Sequence, residues 1–337
     1  MNELFNATKA WANEVNTLLA AEQWEEGLEL LDKILELSPK DEEAWNSKAY
    51  ALNCLGQYEA AIECCDRALA HKPEYEVAWI NRAFALTGLE CYEEVLINCD
   101  RAIAVNPEGD IAWDLKYATL NVLERYGEAL ESCDEAIEAN PANELAWRNK
   151  SLALLRMKRC EEAVEALDRV ILLNPEDINL PLLKGYALRL LERYEDSIEC
   201  YDEVMGWSHE NPFALIGKGL ALLSLGRFEE AITCYDKVLA ENPKNAMAWH
   251  GRGFGLLSLG KIEESIACFD KSIAEDPGFD ETWENKATAL GLLERYEEAI
   301  ECCDKALEIK PNNIMAKRKR TEFRMFLKFP RLHELKN

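Results

Sequence analysis

The sequence has no apolar run approaching the ~20 residues that a membrane-spanning helix needs, no Cys-x-x-Cys pair, and only four histidines. The first absence argues against a membrane span. The other two argue against dithiol redox chemistry and clustered metal ligands. Positive charge is also scarce: 38 Lys and Arg face 63 Asp and Glu, a formal net charge of −25. Residues 314–337 are an exception at +6, which leaves about −31 on the rest. So acidic a body repels nucleic acid and anionic membranes and favours neutral or cationic partners. Met1 leads into Asn2-Glu3-Leu4-Phe5 without the basic start or apolar stretch of a secretory signal. Twelve cysteines in such a chain are expected to be reduced thiols in a cytoplasm. The acceptor-like triplets Asn6-Ala7-Thr8 and Asn149-Lys150-Ser151 are accordingly read as chance.

What is present is a period. Trp11, Trp45, Trp79, Trp113 and Trp147 stand 34 residues apart, and the same ladder resumes at Trp249 and Trp283. With each Trp at position 4, units start at Thr8, Glu42, Glu76, Asp110, Glu144, Ile178, Pro212, Ala246 and Asp280 without insertion or deletion. Within one unit, Trp45, Ala49 and Leu52 recur at helical steps, Gly56-Gln57 interrupts, and Tyr58, Ala61, Cys65 and Ala68 resume them. Pro73 then stops the second helix, as do Pro39, Pro107, Pro141, Pro175, Pro243, Pro277 and Pro311 in their units. Position 11 is Leu throughout, from Leu18 to Leu290. Neither helix of such a hairpin can bury its apolar face alone, so each must stack on its neighbours.

This pattern resembles the tetratricopeptide repeat, whose motif places a large residue at 4, a small one at 8, an aromatic at 17, Ala at 20 and 27, and Pro at 32. Trp45, Ala49, Tyr58, Ala61, Ala68 and Pro73 match it, as do Trp283, Ala287, Tyr296, Ala299, Ala306 and Pro311. Long arrays of this kind are similar to those common in methanogenic archaea and other prokaryotes. The resemblance implies an all-α, right-handed superhelical solenoid whose first helices line a concave groove for a peptide or a partner's helix. Nine helix-turn-helix repeats are expected over residues 1–313, followed by a basic capping helix and tail over 314–337.

One departure from the motif is systematic. Position 7 carries Lys48, Arg82, Lys116, Lys150, Lys184, Lys218, Arg252 and Lys286, while position 25 is Asp in every unit, from Asp32 to Asp304. Glu14 replaces the base in the first unit, which has no predecessor, and Arg320 provides one for Asp304 after the last. The ends favour pairing of each Asp with the base of the next unit over pairing within a unit. The competing reading is two rows of independently solvated charges.

Catalytic and metal sites are not expected. Cys64, Cys65, Cys99, Cys133, Cys200, Cys234, Cys268, Cys302 and Cys303 occupy positions 23 and 24, where other units hold Leu31, Leu167, Tyr201, Tyr235 and Phe269. They read as packing residues, with His71, His209, His250 and His333 at no ligand spacing to them. The segment from Gly255 to Gly260-Lys261 mimics a phosphate loop. However, it has Ile262 where a hydroxyl is needed and lies inside a helix. Acidic pairs such as Glu161-Glu162 and Glu229-Glu230 open second helices, where they suit the helix dipole. No cofactor and no enzymatic activity are inferred.

The functional candidate is the concave face, which the resemblance assigns to positions 2, 5, 9, 12 and 13. Its peptide-binding residues are taken as Tyr50, Ile80, Phe84, Leu145, Leu152, Tyr186, Ile216, Leu220 and Phe254, with Val77, Ile111, Leu182, Phe213 and Met247 on the same face. A continuous exposed apolar strip marks a binding surface, unless neighbouring helices cover it. Asn13, Asn81, Asn149 and Asn285 match part of the carboxylate clamp by which some family members hold chaperone tails, but its basic residues are absent. Regularity lapses where Pro181 replaces Trp and should delay its helix, and where Met205-Gly206-Trp207-Ser208-His209 lacks the usual Pro. A bend, an anchored ligand and neutral drift are the alternatives there. The expected function is a non-catalytic scaffold holding a protein or peptide, basic or neutral in character. Alternatives are a holder of unfolded segments and self-association through the basic C-terminal helix.

Overall fold

The computed structural model describes residues 2–208 and 210–329, with the side chains of residues 2–10 left out. His209, His333 and the tail beyond Phe329 therefore lie outside the described residues. The described residues form nineteen α-helices and no strand. They fall into two compact units, Met1–Asn174 and Pro175–Asn337. The N-terminal unit alternates first helices α1 (Asn2–Ala20), α3 (Glu42–Cys54), α5 (Glu76–Gly88), α7 (Asp110–Val122) and α9 (Glu144–Arg156) with second helices. These are α2 (Trp24–Leu37), α4 (Tyr58–His71), α6 (Tyr92–Val105), α8 (Tyr126–Ala139) and α10 (Cys160–Leu173). In the C-terminal unit, first helices α11 (Asn179–Leu190), α13 (Pro212–Ser224), α15 (Ala246–Ser258) and α17 (Asp280–Leu292) alternate with α12 (Tyr194–Trp207), α14 (Phe228–Glu241), α16 (Ile262–Glu275) and α18 (Tyr296–Ile309). Helix α19 (Ile314–Lys328) closes the series.

Helix ends follow from local chemistry. Asp41, Asn143, Asn211, Asn245 and Asn313 accept backbone N–H bonds at the starts of first helices, each worth ~1 kcal/mol. Pro181 displaces the start of α11 by one residue, to Asn179, and falls in the first turn, where a missing N–H costs little. The turn between the helices of a hairpin needs one residue in the left-handed region. Gly56, Gly226 and Gly260 provide it at φ near 71–76°. Glu22, Glu90, Glu124, Lys158, Glu192 and Glu294 adopt the same conformation despite their Cβ. The next residue's N–H returns to the carbonyl of the position-11 Leu, as in Gln57 to Leu52 and Arg125 to Leu120, both 2.9 Å. This closure is a Schellman-type helix stop. Those leucines are buried from Leu52 onward.

Between hairpins the packing depends on matched sizes. Tyr201 lies against Gly185 and Gly217, and Tyr235 against Gly219 and Gly251. A methyl group at Gly217 or Gly251 would fall 2.4 or 2.3 Å from the ring. In the N-terminal unit the ring and the glycine of its own hairpin give way to small pairs, Ala49 with Cys65 and Ala83 with Cys99, and the glycine of the next hairpin to the larger Asn81 and Leu115, all buried. These cysteines pack as the sequence implied. Burial pushes the thiols of Cys65, Cys99, Cys133 and Cys303 up to about 12, away from nucleophilic or ligating behaviour.

Candidate functional site

The joints between hairpins decide which charges remain for binding. Within each of the two units, a position-7 base reaches back to the Asp of the preceding hairpin. Arg82 meets Asp66 at 2.9 Å, Lys116 Asp100 at 2.9 Å and Lys150 Asp134 at 2.6 Å, and Lys48 pairs with Asp32. In the C-terminal unit Lys218 meets Asp202 at 2.5 Å, Arg252 Asp236 at 2.7 Å, Lys286 Asp270 at 2.5 Å and Arg320 Asp304 at 2.6 Å. Asp168 belongs to one unit and Lys184 to the other. The aspartates are roughly half exposed, so each pair contributes only ~0–1 kcal/mol and acts mainly on orientation.

A second bond at the same joints was not visible in the spacing. The indole N–H of Trp45, Trp79, Trp113, Trp147, Trp249 and Trp283 donates to the carbonyl of the Pro six residues earlier, at 2.8–3.1 Å. At five of these six the base of the ion pair also hangs over that Trp ring, as Lys116 does over Trp113 at 5.4 Å. Where the chain reaches α13, both halves of this bond are missing: Leu215 stands for Trp, and His209 for Pro.

First helices of successive hairpins pack side by side: α3 on α5, α5 on α7 and α7 on α9 in one unit, and α11 through α19 likewise in the other. Polar rungs join some of them. Asn81 donates to Asn46 at 2.9 Å, Asn149 to Asp114 at 2.8 Å, and Lys319 to Glu284 at 2.8 Å. Asn81 and Asn149 are thus buried joint residues, unavailable to grip a carboxylate. His250 fills the corresponding place on α15, its Nδ1 3.0 Å from the Thr282 hydroxyl and its ring 4.7 Å from that of Phe279. Burial lowers this imidazole to about 4.

The residues expected to bind divide by exposure. Tyr50, Phe84 and Tyr186 stand 44–46% exposed, as do Val77 at 45% and Met247 at 49%, with Phe213 at 74%. Leu145, Leu152, Ile216, Leu220 and Phe254 are half-buried. Ile80 is different: only 6% exposed, it packs with Ala102 and Ala112 at a joint and offers no contact surface. Cover by adjoining helices therefore accounts for Ile80 and for part of the half-buried set.

Charge separates the two faces. The bases on α3, α5 and α7 are all committed to aspartates, so the face they form keeps apolar residues edged by Glu43, Glu76 and Asp110. Helices α13 and α15 contain no Asp or Glu, and Lys218 and Arg252 are their only bases, both paired. The α13–α15 face is therefore an uncharged apolar lane on an acidic chain.

No group of three or more potential metal ligands occurs among the described residues. No helix there is long and apolar enough to cross a membrane.

Comparison with known proteins agrees with this architecture. Tetratricopeptide repeat family models match residues 42–75, 212–245 and 281–313, and, for a second model, 123–184. A model of the protein prenyltransferase alpha subunit repeat matches 24–55. No curated protein matches the chain. Among solved structures, a tetratricopeptide repeat protein from Parabacteroides merdae superposes with a TM-score of 0.61 at 15% identity, covering 74% of this chain and 98% of its own. Yeast Tom70 gives 0.48 at 12% identity, with 98% and 96% covered. YrrB, described as a TPR protein with an unusual peptide-binding site, gives 0.43 at 21% identity, with 57% and 99% covered.

Proposed function

Since the chain is a tetratricopeptide-repeat protein, we propose that it works as a non-catalytic scaffold that holds an apolar peptide or helix of a partner on the exposed faces of its first helices. The observation that carries the reading is the α13–α15 lane, where Phe213 and Met247 stand open to solvent beside Ile216, Leu220 and Phe254. Side chains of this size exposed together, with no carboxylate among them, mark a surface built for contact. Tyr186 extends the lane onto α11, and Arg189 lies over its ring at 5.5 Å. The N-terminal face, with Tyr50, Phe84, Leu145 and Leu152, has the same apolar content behind an acidic border and suits a partner with basic residues. Binding at such a face comes from a few aromatic and aliphatic anchors.

Selection of a displayed random-peptide library against the full chain tests this. Enriched peptides are expected to be apolar and to lose at least ~tenfold affinity, ~1.4 kcal/mol, in Phe213→Ser/Phe254→Ala. Equal binding by the variant would remove the lane from consideration. Binding without sequence preference, lost in the same variant, would identify a holder of unfolded segments instead.

A further inference from the structure

We propose that helix α19 of one copy docks across α3, α5 and α7 of a second copy, so that the protein assembles through its basic end. The inference rests on the binding role of first-helix faces and assigns one of them an occupant. Helix α19 uses Lys319 and Arg320 at home, on Glu284 and Asp304, and Arg324 lies 3.7 Å from Asp304. Among the described residues, Lys317, Arg318 and Lys328 have no such pairing. They stand beside the exposed Ile314, Met315 and Met325, with Ile314 at 77%.

In every complete hairpin, positions 4 and 11 of the first helix are packing residues. In α19 those positions are Lys317 and Arg324, both charged and exposed. Among the described residues, the outward side of α19 is thus mainly cationic and apolar, with Glu322 its one acid.

The face over α3, α5 and α7 has the opposite character. Its apolar residues Tyr50, Val77, Phe84 and Ile111 are exposed, and at its border stand the exposed carboxylates of Glu43 and of Asp110, which accepts a bond from the Asn143 amide. The α13–α15 lane carries no carboxylate and offers α19 no such attraction. Dimensions agree as well. A 15-residue helix is ~22 Å long, and three helices packed side by side at 8–10 Å spacing present roughly 20 Å across. An interface of this kind is steered by charge and anchored by the methionine and isoleucine side chains against tyrosine and phenylalanine.

Sedimentation equilibrium of the full chain over a range of concentrations tests the proposal. The expected result is mass that grows with concentration at low salt and falls toward the monomer in ~1 M salt, where screening length shrinks to ~3 Å. Lys317→Glu/Arg318→Glu should weaken association at least ~tenfold, and so should Glu43→Lys/Asp110→Lys. Mixing the two variants should restore it, because each supplies the charge the other has lost. Circular dichroism on each variant keeps loss of fold from being mistaken for loss of contact. A monomer at every concentration overturns the proposal, as does association that neither variant alters. Capture of the monomer on anionic-lipid vesicles through the same lysine and arginine would also overturn it. Peptide binding on the α13–α15 lane is insensitive to all these changes, so either idea can fail without the other.

Discussion

Replacing Gly251 with Ala should destabilise the C-terminal unit, although Ala is the better helix former. The added methyl would sit 2.3, 2.6 and 2.7 Å from three atoms of the Tyr235 ring. Ordinary carbon contacts need about 3.5 Å or more, so the ring would have to retreat by about 1 Å. It has nowhere to go. Tyr235 is fully buried, and Gly219 lies against the same ring from its own hairpin, with a Cβ there 2.7 Å from the ring. Overpacking of this kind costs ~1–3 kcal/mol, and the upper end applies to a ring held on both sides. Gly-to-Ala helix propensity returns ~1 kcal/mol, leaving a net loss of ~2 kcal/mol.

Urea unfolding followed by circular dichroism, with hydrogen exchange to localise the change, measures it. The compensating change is Tyr235→Cys. Alone it opens a void and costs ~3 kcal/mol. In the double variant Gly251→Ala/Tyr235→Cys the added methyl no longer meets a ring and fills part of the void, so much of the stability should return. The coupling energy between the sites should therefore be favourable and exceed ~2 kcal/mol. A neutral or stabilising Gly251→Ala, or costs that simply add, would refute the size-matching argument.

His250 should impose its own pH dependence. Its folded value of about 4 lies below the ordinary 6.5, so the unfolded chain takes up the proton first as pH falls. The contribution is complete above pH 6.5 and disappears progressively toward pH 4, a loss on the order of 3 kcal/mol. The stability difference between the wild type and His250→Gln should shrink by that amount over the window, and a difference that stays constant with pH would contradict it. At the turns, Glu124→Gly should raise stability by ~1 kcal/mol in urea melts. A left-handed conformation costs a residue with Cβ ~1–2 kcal/mol, and glycine's greater freedom in the unfolded chain takes part of the gain back.

The sequence made the helices and the joint ion pairs legible because both obey the period. Trp, Leu and Pro at fixed offsets define where each helix runs. Asp66 and Arg82 stand 16 residues apart, as do their equivalents, so the acid row and the base row could be matched by their ends alone. Properties that depend on two hairpins at once were not legible. The closeness of Tyr235 to Gly251 appears only when helices from consecutive hairpins are superimposed in space, and the indole-to-carbonyl bond requires the loop geometry. Ile80 was misplaced for the same reason: periodicity puts it on the first-helix face but cannot show that α7 lies over it. The exposed residues Phe84, Tyr186 and Phe213 were legible because no joint claims them. Helix α11 is a smaller case. Pro181 was expected to delay it, and it does so by a single residue, because a proline in a first turn is tolerated.

The Trp–Pro bond has a consequence for how such a chain can change over time. Six boundaries carry the same latch, made of one residue before the loop and one after it. A duplicated block of whole hairpins arrives with its fastenings at both ends and needs no new surface to be invented. Loss or gain of a single amino acid in the loop between Pro and Trp would shift Trp away from its carbonyl and the base away from its aspartate in one stroke. Selection on length is therefore expected to act in steps of 34 residues, so that the chain grows or shortens by complete modules.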